Sequence, residues 1–131
     1  MVKPQTSRQA AAVLLAVLVM AGCFKRPSRG EAAAEVTRRV TIEVENNHWA
    51  TVVVYAVVNG QSIRMGEVNT GTTTSMLTPP GIDPTVVDFR LRADPIGQRE
   101  IYTSGSIPVY GGGTVLLTVE NDIRNSRIRI I

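Results

Sequence analysis

Between Val36 and Ile131 apolar residues recur at every second position, and no stretch repeats them every three or four. Side chains of an extended chain point alternately to two faces, so this pattern admits strands and argues against amphipathic helices. Val40, Ile42 and Val44 alternate with Thr41, Glu43 and Glu45, and Val87, Phe89, Leu91 and Ala93 alternate with Asp88, Arg90 and Arg92. Thr51–Val58 reads TVVVYAVV, apolar on both faces, which predicts a central strand covered on both sides. Asn59-Gly60 follows at once; both residues accept positive φ, the strongest short hairpin signal. Gln61–Val68 is then the returning partner, with a bulge expected near Gly66.

The rest of the domain reads the same way. Asn46-Asn47-His48 and Asn69–Gly71 are turns, and Thr72–Leu77 is a Thr-rich strand stopped by Pro79-Pro80-Gly81. Asp94–Gly97 turns the chain, and Arg99–Thr103 and Ser106–Tyr110 read as a strand pair interrupted at Gly105. Gly111–Gly113 is a loop, Thr114–Asn121 a strand with Val115, Leu117 and Val119 inward, and Arg127–Ile131 a short last strand. About seven or eight strands with turns every 8–12 residues predict an all-β, antiparallel, Ig-like β-sandwich over residues 36–131. A small closed barrel is the alternative. With a single Cys, the Cys…Trp…Cys hallmark is absent, so "Ig-like" describes architecture only. Thr72–Leu77 and Arg127–Ile131 are the expected sheet edges, where an extended peptide can add as a further strand.

The N-terminal segment has different physics. Met1–Gln9 carries Lys3 and Arg8 and no acid, and Ala10–Ala21 is an unbroken run of 12 apolar residues. A spanning helix needs about 20, so this run fits the apolar region of an export signal. It ends in Met20-Ala21-Gly22-Cys23, and Cys23 is the single cysteine of the chain. Phe24–Glu35 follows as a tether, with Lys25, Arg26 and Arg29 where lipid headgroups favour basic residues. Pro27, Ser28 and Gly30 oppose regular structure there. Extended, this tether reaches at most ~40 Å.

The Met20–Cys23 run resembles the lipobox of bacterial lipoproteins: an aliphatic residue, two small residues, then Cys. The resemblance implies cleavage between Gly22 and Cys23, a signal peptide over 1–22, and a lipidated N-terminus with its tether over 23–35. Cys23 would carry diacylglycerol by thioether and a palmitate-type N-acyl chain. Each buried CH₂ is worth about 0.8 kcal/mol, so two or three acyl chains anchor effectively permanently. Phe24 stands where Asp commonly retains a lipoprotein in the inner membrane, so the resemblance implies an outer-membrane address facing the periplasm. The runs NNHWATVVVYAVVNGQSIRMGEV, FRLRADPIGQREIYTSGSIPV and GGTVLLTVEN further resemble small uncharacterised bacterial lipoproteins made of a signal peptide, a linker and one β-sandwich domain. That resemblance brings no catalytic residues.

Chemistry-bearing groups are sparse. His48 is the single His, expected in an exposed turn; a Ser-His-Asp triad would have to use it with an acid such as Asp94 or Asp122, and no G-x-S-x-G elbow is present. Asp83, Asp88, Asp94, Glu120 and Asp122 are spread along the chain, and no D-x-D-x-D-G loop gathers them for calcium. No metal and no cofactor beyond the Cys23 lipid is expected, and the domain reads as non-enzymatic. Trp49 either closes one end of the core or anchors a partner. Arg124, Arg127 and Arg129 form a small basic end and join Trp49 as candidate partner contacts.

The chain carries 14 Lys+Arg against 11 Asp+Glu, formally +3. Lys3 and Arg8 belong to the signal, and Lys25, Arg26 and Arg29 to the tether; from Val36 onward nine Arg face nine acids. The basic excess belongs to export and the membrane surface, so no nucleic-acid partner is expected. The expected function is a lipid-anchored binding or scaffolding module for another envelope component, with an envelope protein as the expected partner. A carrier of a small apolar ligand or lipid between the sheets is the second reading, and a hydrolase using His48 the third.

Overall fold

The alternation seen in the sequence becomes two stacked sheets in the computed structural model, which describes Gly30, residues 38–85 and residues 87–131. The signal peptide, Gly22, Cys23 and the tether expected over 23–35, Gly30 apart, lie outside the described residues. Eight strands follow in order: β1 (Thr41–Asn46), β2 (Val52–Val58), β3 (Gln61–Val68), β4 (Thr73–Leu77), β5 (Phe89–Pro95), β6 (Tyr102–Thr103), β7 (Thr114–Val119) and β8 (Arg127–Ile130). A 3-10 turn at Ile123–Asn125 precedes β8. One sheet has the order β4-β1-β7-β8 and the other β3-β2-β5-β6. This is the expected all-β sandwich.

The inward residues are those the alternation selects. Ile42 and Val44 of β1, Val52, Val54 and Ala56 of β2, Phe89, Leu91 and Ala93 of β5, and Val115, Leu117 and Val119 of β7 form one buried cluster. The β2–β3 hairpin turns on Asn59 (φ 50°) and Gly60 (φ 83°), two left-handed residues whose twist matches that of the flanking strands. In β3 the register slips opposite Val54 and Tyr55: Val54 faces Gly66 and Tyr55 faces Arg64, leaving Met65 as the extra residue of a bulge. The bulge sits beside Gly66, as the sequence predicts. The two expected edges, β4 and β8, are the two edges of one sheet.

Four details differ from the sequence reading. First, β1 pairs with β7 in parallel, while the other pairings are antiparallel. The chain enters β1 alongside the entry to β7: Gly112 N–H donates to Arg39 O, and Thr41 N–H donates to Gly113 O. Second, β2 is central, but its outer face (Val53, Tyr55 and Val57) is half-buried rather than covered by another layer. Neighbouring long side chains shield it; the Arg92 guanidinium lies 5.2 Å from the Tyr55 ring centre. Third, the β5 strand begins only at Phe89, although Val87 still packs against the core.

The fourth difference is the shortest strand. Of the expected pair Arg99–Thr103 and Ser106–Tyr110, only Tyr102–Thr103 is a strand. Ser104 continues the ladder twice, its N–H donating to Leu91 O and its Oγ accepting from Leu91 N–H. Ile107 N–H then donates to Phe89 O, one residue out of step with the Arg92–Thr103 register. The extra residue and Pro108, which has no N–H, stop the ladder. Ile107 and Val109 still reach the core.

Candidate functional site

The site is built on Asn46. It occupies the next inward position of β1 after Ile42 and Val44, so a polar side chain enters the core, where it is 0% exposed. Its amide is fully used. Nδ2 donates to Ala50 O at 3.0 Å and to Val68 O at 2.9 Å, and Oδ1 accepts from His48 N–H at 2.9 Å. The backbone on both sides of Trp49 is therefore clamped to one buried side chain.

His48 completes the loop. It is 4% exposed, which corrects the expected exposed turn histidine. Its Nδ1 accepts from Ala50 N–H at 3.0 Å, leaving the ring proton on Nε2, and its carbonyl accepts from Thr70 Oγ1. Asn47 N–H donates to Val119 O, tying the same loop to β7. The groups at His48 and Ala50 need these partners because both residues are buried, and a buried amide without a partner costs about 1–3 kcal/mol.

Trp49 projects from this clamped loop. It is 62% exposed, so it does not close the core, which corrects that half of the sequence reading. Its ring stacks on His48 with centres 5.4 Å apart and planes 27° apart. A large aromatic ring that is both exposed and fixed is unusual on a monomer surface, where aromatic residues concentrate at recognition sites.

Across from Trp49 stand residues from two other segments. A shallow pocket of about 240 Å³ is lined by His48, Trp49, Gln98, Glu100, Asn121 and the Asp122–Arg124 corner. Asp122 caps the 3-10 turn, accepting from Arg124 N–H, and it also receives Arg124 Nε at 3.0 Å and a terminal guanidinium nitrogen at 3.1 Å. The Arg124 guanidinium, then its backbone N–H, holds the Asp122 carboxyl below its ordinary 3.8. The Glu100 and Asn121 side chains have no hydrogen-bond partner among the described residues and are exposed. The Gln98 side chain makes a single bond, Nε2 donating to the carbonyl of Gly97, while its backbone N–H donates to Pro95 O.

Of the candidate contacts, the fold brings Trp49 and Arg124 together and sends Arg127 and Arg129 elsewhere. The latter two point outward from β8, opposite Thr118 and Leu116, and Arg127 pairs with Glu120 at 2.8 Å. Sequence reasoning missed Asn46, Gln98, Glu100 and Asn121. Asn46 carried a signal, a polar residue in the inward phase of an alternating strand; the other three carried none, because loop residues meet only through the fold. A second cleft, of about 610 Å³, lies between β8 and Tyr102–Pro108, with Ile107, Pro108, Ile128 and Ile130 along it.

The acids considered for other chemistry are occupied locally. Asp94 pairs with Arg92 at 3.1 Å and Asp88 with Arg90 at 3.1 Å. Asp83 accepts from the hydroxyl and backbone N–H of Thr85, which lowers its pKa from 3.8. Among the described residues no three His, Cys, Asp or Glu side chains gather closely enough to hold a metal ion.

No family model matches the sequence. No curated protein matches it. Among solved structures the chain is similar to an NMR structure of a protein from Eubacterium rectale, with 13% identity, a TM-score of 0.45, and coverage of 71% of this chain and 88% of that one.

Proposed function

We propose that this protein is a lipid-anchored lipoprotein of the bacterial envelope whose β-sandwich is a non-catalytic binding module for another envelope component. In this reading the signal over 1–22 is removed, Cys23 carries the lipid, residues 24–35 serve as a tether with Lys25, Arg26 and Arg29 on its membrane side, and the domain faces the periplasm from the outer membrane. The observation that carries the binding role is Trp49, exposed to 62% on a loop whose neighbouring backbone is fixed by Asn46. Holding a large ring in place before binding removes the ordering cost that otherwise opposes association.

The interior supports a surface binder over a carrier. Val40, Ile42, Val44, Val52, Val54, Phe89, Leu91, Val115 and Leu117 all pack at 0% exposure between the sheets, and the clefts described lie at the surface. The test is photocrosslinking in intact cells from a reactive residue placed at Gln98 of the full-length chain, repeated with Trp49→Ala. An adduct that disappears in the Trp49→Ala protein is the expected result. No adduct, or one indifferent to Trp49, overturns the binding role.

A further inference from the structure

The chemistry around Trp49 says more than that something binds. We propose that the pocket between Trp49, Gln98, Glu100 and Asn121 takes a neutral sugar ring of an envelope glycan; this rests on the binding-module reading above. A pyranose ring has a flat face of C–H groups and a rim of hydroxyls that each donate and accept. The C–H face suits the electron-rich face of an indole. The hydroxyl rim suits planar amides, which donate and accept in one plane, and carboxylates, which accept.

This pocket supplies both parts. Trp49 is fixed by stacking on His48 and by the clamped backbone on either side. The Glu100 carboxylate and Asn121 amide lack hydrogen-bond partners within the domain, and Gln98 has accepting and donating capacity to spare. Water satisfies these groups in the free protein, and a hydroxyl rim would replace it one for one. Asp122 and Arg124 are tied to each other in a two-point bond, so they brace the wall of the pocket. An apolar side chain from a protein partner would leave Glu100 and Asn121 with nothing to bond, a cost that disfavours that occupant.

Charge narrows the ligand further. Arg124 faces both Asp122 and Glu100, and two carboxylates against one guanidinium leave a net negative charge of one at the pocket. Phosphates, uronic acids and nucleic acids are therefore repelled, while neutral sugars are not.

The experiment uses the one tryptophan of the chain as its own reporter. Full-length protein, in a detergent without a sugar headgroup, is titrated with chitotetraose, cellotetraose and maltotetraose in turn, with a tetragalacturonate as the anionic control. At least one neutral probe should shift Trp49 emission to the blue, protect it from acrylamide quenching and saturate; the anionic probe should do neither. By calorimetry, Trp49→Ala should weaken that binding at least about tenfold, as loss of a central anchor does. Asn121→Ala should weaken it severalfold, and Glu100→Lys should admit the anionic probe. An unchanged melting temperature shows that each variant still folds. Failure of all three neutral probes to alter Trp49 emission, or tighter binding of the anionic one, overturns the sugar assignment. If the photocrosslink at Gln98 then yields a protein dependent on Trp49, the binding module stands and the sugar does not; if no adduct forms either, both fall.

Discussion

The side-chain amide of Asn46 donates to the carbonyl of Val68, 22 residues further along the chain, at 2.9 Å. That bond joins the end of a strand in one sheet to the end of a strand in the other. Asn46 also bonds Ala50 and His48, so one buried side chain couples sheet packing to the display of Trp49. Asn46→Leu keeps the branched outline of the side chain, with bulkier methyl groups, and removes the bonds to three backbone groups. We expect a loss of about 2–4 kcal/mol in chemical denaturation, together with increased acrylamide quenching of Trp49. A loss below about 0.5 kcal/mol would contradict the role given to this residue.

Leu91 is fully buried at the centre of β5, between β2 and the Ser104 ladder. Leu91→Ala removes packed volume that the two sheets cannot close over. The expected cost is about 2–5 kcal/mol by urea denaturation, enough to lower the melting temperature by more than about 8 °C in a domain of this size.

Gly60 sits at φ 83° in the β2–β3 turn, and nothing within 4 Å would obstruct a side chain there. The penalty for Gly60→Ala is therefore purely conformational. It should be about 1–2 kcal/mol, whereas Asn59→Gly should change stability little, since Gly adopts φ 50° without strain. Equal effects of the two variants would argue against the turn conformation.

Asp122 has a folded-state pKa below its ordinary 3.8, held there first by the Arg124 guanidinium and then by the Arg124 backbone N–H. The group favours the folded state fully above 3.8, where both states are ionised, and that contribution is lost as pH falls through the lowered folded value. An NMR titration of the Asp122 carboxyl carbon should show a midpoint below 3.8, and Arg124→Ala should move it back up. A midpoint unchanged by Arg124→Ala would show that the guanidinium does not set it.

Cys23 is the single thiol, and the proposed lipid anchor rests on it. Cys23→Ala should abolish incorporation of labelled palmitate and leave an uncleaved precursor, visible as a slower band on a gel. Normal processing of that variant to a soluble form would rule out lipid attachment at this position.

Much of the sandwich is already present in local pattern. Alternation alone sorts Ile42, Val44, Leu91, Val115 and Leu117 inward, because a strand has two faces and the apolar one must be covered. Asn59-Gly60 specifies its hairpin because few residue pairs accept two positive φ angles. These signals are local, and a local signal is readable one residue after another. Even Asn46 is marked in this way, as a polar residue in the inward phase.

What fills that inward phase with purpose is not local. The bond from Asn46 to Val68, the parallel run of β1 beside β7, and the burial of His48 all depend on which segments become neighbours when the sheets stack. Trp49 and Arg124 come from opposite ends of the domain, and Glu100 and Asn121 from different loops, so no spacing in the chain announces their meeting. The alternating pattern dictates faces because each residue's direction follows from its own backbone. The pocket arises from packing because its residues share nothing except the place to which the two sheets carry them.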